Sequence, residues 1–200
     1  MAKRKKPHDP WIRSDHADQY LVAAAHYLAR AATNPVVVLL PPPSVSATLY
    51  CAFAAEAYVN VALLRILGKD EYEPVARMPV RTKVFLAPQL GSREAWFVQG
   101  EDVLENIAEL FKTRNRLVHA QPERLYASYE EDAPPDLEAP RPALADVARW
   151  LASTADAVCR LADSHAELSE LRRIAGPLRE MDPLLLKFDG ERDGPELDRR

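Results

Sequence analysis

Apolar residues recur every three or four positions in four long stretches of this chain, and proline or glycine closes most of them. That rhythm belongs to helices that bury one face against one another. The first stretch predicts a helix from about Pro10 to Ala32, with Tyr20, Ala24, Tyr27 and Leu28 on one side and Asn34-Pro35 as its stop. Val36 to Leu40 reads as an extended connector, because three prolines follow and a residue before proline avoids the α region. Ser44 or Ser46 can then cap a second helix over 45–67, whose stripe is Leu49, Ala52, Phe53, Val59, Leu63, Leu64 and Leu67 and whose end is Gly68. Glu56 and Asn60 fall inside that stripe, and a carboxylate so placed needs a partner.

Residues 69–100 are less regular, although Pro79 at a first helical position followed by Val80, Val84 and Ala87 suggests a short helix. A third long helix, 101–119, carries Val103, Leu104, Ile107, Leu110, Phe111, Leu117 and Val118 on one face, with Glu101 and Asp102 where the helix dipole favours acids. From Glu130 to Pro142 the chain is acidic and proline-rich and cannot build a packed element. A fourth helix spans 143–174, with Leu144, Val147, Leu151, Ala155, Val158, Leu161, Leu168 and Leu171 in alternate steps of three and four, and Gly176-Pro177 ends it. The fold class is therefore all-α, a bundle of four to five helices. One domain over 10–175 accounts for the 200 residues, with a basic tail at 1–9, the loop 130–142 and a C-terminal tail at 176–200.

Composition narrows the function. An apolar share of 48% and a charged share of 28% suit a globular protein rather than a disordered one. Two distant cysteines, Cys51 and Cys159, imply neither a disulfide framework nor a thiolate metal site, so a reducing cytoplasm is expected. The basic start is followed by Pro-His-Asp-Pro instead of a signal peptide's apolar core, and no uninterrupted apolar run is long enough to cross a bilayer. Net charge is −4, but residues 1–120 hold 15 Lys/Arg against 12 Asp/Glu while 121–200 hold 11 against 18. Any nucleic acid would bind the first part. With six glycines and no Gly-x-Ser-x-Gly or His-Glu-x-x-His, neither a phosphate-cradling loop nor a familiar hydrolase site is present, and no cofactor or metal is expected.

The segment with the most chemistry closes the third helix: Arg114-Asn115-Arg116-Leu117-Val118-His119. Leu110, Phe111, Leu117 and Val118 surround Arg114 at spacings of three and four, which points a permanent cation at the core or at a subunit interface. Asn115 and His119, at i and i+4, share one edge of the stripe about 100° to 140° round from Arg114. A fixed cation, an amide and a titratable imidazole thus gather in one turn, a set suited to a phosphate. A purely structural reading also fits, in which Arg114 pairs with Glu56 and His119 answers the helix dipole. A second Arg-x4-His occurs mid-helix at Arg160 and His165, where no Asn follows the arginine and His165 lies in the apolar stripe; packing explains it.

Arg114-Asn115-x-x-x-His119 at a helix end, preceded by a core helix with Ala55-Glu56-Ala57-Tyr58-Val59-Asn60, resembles the HEPN superfamily over about residues 45–120, with the helix from 143 fitting its closing helix. The resemblance implies a HEPN-like bundle that dimerises with its motif helices face to face. It further implies a metal-independent endoribonuclease, acting as a toxin or in phage defence, with Arg114, Asn115 and His119 as site residues and Glu56 and Asn60 in support. An RNA 2′-hydroxyl would attack the adjacent phosphate, His119 moving the proton and Arg114 stabilising the transition state. RNA, a second copy of the chain, and a cognate antitoxin or neighbouring-gene product are the implied partners. Gln121 stands where one toxin branch carries a modifiable tyrosine, so control by that route is not expected. Two alternatives stay open. One is a non-catalytic HEPN-like module binding RNA, a nucleotide or a protein; the other is a helical partner protein built on the Leu-rich 143–174 segment.

Overall fold

A computed structural model of the protein describes residues 15–33, 41–90, 102–119 and 142–180. Of these, 91% are helical and none is in a strand, so the fold is all-α. The helices are α1 (Asp15–Thr33), α2 (Pro43–Leu67), α3 (Lys69–Ala76), α4 (Val80–Gln89), α5 (Asp102–Val118), α6 (Leu144–Ser164) and, after a 3-10 stretch at Ala166–Leu171, α7 (Arg172–Glu180). The basic tail 1–9, the connector 36–40, the acidic loop up to residue 141 and Leu184-Leu185-Leu186 lie outside the described residues.

Helix α2 is the axis of the bundle, with α1, α4, α5 and α6 packed on it. Its buried positions are mostly small, among them Ala47, Ala52, Ala54, Ala55 and Ala62, and those of α1 include Ala17, Ala24, Ala25 and Ala29. Small side chains let neighbouring axes approach closely. Leu21, Leu28, Tyr58, Leu63, Ile107, Leu110, Leu151 and Leu161 fill the space that remains. Polar ties fix α6 against its neighbours: Cys51 Sγ lies 3.3 Å from Thr154 Oγ1, and Asn106 Nδ2 donates to Ser153 Oγ at 2.9 Å. By length and mean hydropathy (1.4) α2 would suffice to cross a bilayer, yet 56% of that window is buried inside the bundle. No uninterrupted apolar run marks it in the sequence, since Ser, Thr and Tyr interleave its alanines.

Several boundaries differ from the sequence expectation. Helix α2 begins at Pro43 with Pro42 as its cap, so neither Ser44 nor Ser46 caps it; a proline at the first position is preset for the helix and lacks an N–H that would be orphaned anyway. The Ser44 carbonyl instead accepts the Thr48 hydroxyl at 2.8 Å. Helix α3 was not foreseen, and Pro79 is the cap of α4 rather than its first residue. The expected single helix over 143–174 is broken: α6 stops at Ser164, His165 is extended at φ −146°, and a 3-10 turn follows. Gly176-Pro177 ends nothing, because α7 carries both inside it. Burial of Ala175 and ion pairs from Arg172, Arg173 and Arg179 hold that helix against proline's preference.

Candidate functional site

Helix α5 positions the candidate site. Asp102 and Glu105 lie in its first turn and Arg116 in its last, each on the side that the dipole favours. Leu104, Ile107 and Leu110 are buried, which seats the helix firmly as far as its third turn. Beyond that the buried stripe fades. Arg114 and Leu117 are half-buried, and Val118 is 48% exposed. Helix α5 therefore carries its last turn, and the motif with it, to the surface of the described chain.

The Arg114 guanidinium bends toward the edge of the stripe and lies over the Phe53 ring of α2, its carbon 6.0 Å from the ring centroid. Such a stack is favourable for a cation. Its Nη1 donates to Asn115 Oδ1 at 2.9 Å, while its Nε is buried without an acceptor among the described residues. The backbone N–H of His119 donates to the Asn115 carbonyl at 2.9 Å, extending the helical pattern by one residue. The His119 side chain is exposed and makes no hydrogen bond to either motif partner. Arg114 and Asn115 are thus brought together, with His119 one turn beyond.

Glu56 is not the partner of Arg114, and no ion pair joins them among the described residues. Glu56 lies nearly one turn past Phe53, where its charge acts on Lys83 and Tyr72 instead. Asn60 belongs to the same group: Lys83 Nζ donates to Asn60 Oδ1 at 2.9 Å and to the Ala76 carbonyl at 2.5 Å. The Lys83 side chain is buried, and desolvation holds its ammonium below the usual lysine range, partly offset by Glu56. The two expected supporting residues therefore tie α2 to α4. Sequence reasoning missed Lys83, though Val80, Val84 and Ala87 bracket it at steps that place it in the apolar stripe of α4. It also missed the role of Phe53, which passed for one core residue among many.

Other candidates carry less chemistry. The second Arg-x4-His match also ends a helix rather than lying mid-helix, so position alone does not separate the two. Arg160, however, donates to Asp156 at 2.8 Å, and no asparagine stands beside it. Burial pushes the Cys51 thiol up to about 12 and raises Cys159 as well, so neither is a nucleophile near neutral pH. Among the described residues no three His, Cys, Asp or Glu side chains gather as metal ligands. Compared with known proteins, the chain matches no family model, no curated protein and no solved structure.

Proposed function

We propose that the chain is a HEPN-like RNA endonuclease whose site is Arg114, Asn115 and His119 at the end of α5. The observation that carries this reading is the state of Arg114. It is held in place by the Phe53 ring and Asn115, with no carboxylate pairing it among the described residues. A cation fixed by a neutral amide and a ring keeps its charge for a phosphate. In the reaction, His119 takes the proton from the RNA 2′-hydroxyl as that oxygen attacks the adjacent phosphorus. Arg114 stabilises the charge that accumulates on the phosphoryl oxygens. The bond to the 5′ oxygen then breaks, leaving a 2′,3′-cyclic phosphate and a 5′-hydroxyl, which receives its proton from the histidine of a second copy. Half-buried Leu117 and exposed Val118, beside the motif, suit such a contact between copies. DNA lacks the attacking hydroxyl and stays whole.

One observation favours a binding-only module instead: His119 is not hydrogen-bonded to either motif partner. A single assay separates the readings. Wild-type protein is incubated with single-stranded RNA in excess chelator and the ends are analysed. Cyclic phosphate ends are expected, and His119→Ala, still folded, is expected to cut at least about 100-fold more slowly. Cutting that survives His119→Ala, or that requires a divalent metal, overturns the nuclease; binding without cutting supports the module.

A further inference from the structure

Four aromatic rings from two helices form a continuous row that ends on Arg114. Tyr27 of α1 and Tyr50 of α2 are stacked, their centroids 5.5 Å apart and planes 5° from parallel. Tyr20 lies 6.2 Å from Tyr50 and 5.7 Å from Phe53, and Tyr50 meets Phe53 edge-on at 6.4 Å. Phe53 in turn carries the Arg114 guanidinium. None of the four is fully buried.

Positive charge stands at both ends of the row, with Glu56 one turn past Phe53 as the nearest carboxylate on α2. From Gln19 to Thr33 α1 holds no acidic residue, and from Pro43 to Ala55 α2 holds no charge at all. Arg30, exposed, stands one turn after Tyr27, and Arg114 closes the other end; Lys112 and Arg116, two residues either side of Arg114, lie on the opposite face of α5. In a chain of net charge −4, a row of partly exposed rings with a cation at each end suits one chemistry. Bases stack on rings whatever their sequence, while the backbone follows positive charge.

We infer that the row Tyr27, Tyr50, Tyr20, Phe53 is a stacking platform for single-stranded RNA that leads the strand into Arg114. It deepens the nuclease reading, on which its direction toward Arg114 and His119 rests. Duplex RNA, whose bases are already stacked inside, does not use it. Stacking needs no 2′-hydroxyl, so single-stranded DNA engages the same rings and escapes cleavage.

That difference supplies the test. A fluorescein-labelled oligodeoxythymidine is titrated against the protein and its anisotropy followed, with a labelled RNA duplex in parallel. Tyr27→Leu and Tyr50→Leu are each expected to weaken binding of the single strand about 5- to 100-fold, the range that one stacked base carries, while Tyr27→Phe binds like wild type. Melting curves establish that the variants fold. Independently of any variant, a 5-bromodeoxyuridine oligomer irradiated on the wild-type chain is expected to cross-link to Tyr27, Tyr50 or Tyr20. Unchanged affinity in folded Tyr27→Leu, or cross-links confined to other segments, overturns the platform. So does loss of a dimer in Tyr27→Leu with affinity intact, which would assign the row to contact between copies. Tyrosine-dependent binding without RNA cleavage removes the nuclease and leaves the platform standing; cleavage with tyrosine-independent binding does the reverse.

Discussion

A lysine whose side chain is almost wholly out of water must give something back, and Lys83 does so by joining three elements. Its ammonium, on α4, reaches Asn60 on α2 and the last carbonyl of α3. Removing it leaves both acceptors without their donor, so Lys83→Met is expected to lower stability by about 1–3 kcal/mol although methionine fills much of the space. The pH dependence has a definite sign. Burial lowers the folded-state pKa from its ordinary 10.5, so between the lowered value and 10.5 the unfolded chain binds more protons than the folded one. Stability then rises with pH across that window. Urea midpoints measured up to about pH 10 should show the gap between wild type and Lys83→Met widening as pH climbs. A gap that narrows would mean that the Glu56 charge, and not desolvation, governs the lysine.

At the scale of elements, the joint between α2 and α3 rests on one glycine. Gly68 has φ +79° and ψ 171°, a backbone region that side-chain-bearing residues rarely enter, and it ends α2 by donating to the Leu64 carbonyl at 2.9 Å while accepting from the Tyr72 N–H at 3.0 Å. A Cβ there would meet nothing within 4 Å, so Gly68→Ala is a test of backbone strain alone. It is expected to cost about 1–3 kcal/mol, which a thermal midpoint would read as a fall of several degrees. Gly68 was legible as a stop because it closes a long periodic stripe, and the long helices were legible for the same reason. What followed it was not. Helix α3 buries no residue completely and contains Pro74, so its eight residues carry no stripe, and its place is set by contacts that only the fold supplies. The break at His165 was hidden differently. Leu161 and Leu168 stay seven residues apart and Leu168 and Leu171 three apart, spacings that a continuous helix and a helix followed by a 3-10 turn satisfy alike. The motif at Arg114 could be read because its three residues are neighbours on one element. The role of Phe53, the partners of Lys83 and the aromatic row could not, since each depends on which face of one helix meets which face of another.

At the scale of the whole molecule, the first and last of the described helices close on each other through Asp18. Its carboxylate, on α1, accepts the Tyr58 hydroxyl of α2 at 2.5 Å and the Arg173 guanidinium of α7 at 2.6 Å. These bonds look equivalent but differ in what lies behind them. Asp18 is 8% exposed as a side chain and Tyr58 is fully buried, whereas the Arg173 side chain is 67% exposed and can turn to water. Arg173→Ala is therefore expected to cost at most about 1 kcal/mol, as surface ion pairs do. Asp18→Ala strands a buried hydroxyl and should cost about 1–3 kcal/mol for that group, besides the lost ion pair. Arg172 with Asp163 at 2.9 Å and Arg179 with Asp156 at 2.7 Å hold the rest of α7 by similarly half-exposed pairs, with Ala175 its one fully buried residue. Salt screens such pairs and leaves apolar burial almost untouched. Amide exchange in residues 172–180 should accordingly quicken as salt is raised while α2 keeps its protection, and Arg173→Ala should quicken the same segment at low salt. Equal quickening in α2 would mean that α7 is part of one cooperative core and that the aspartates only decorate it.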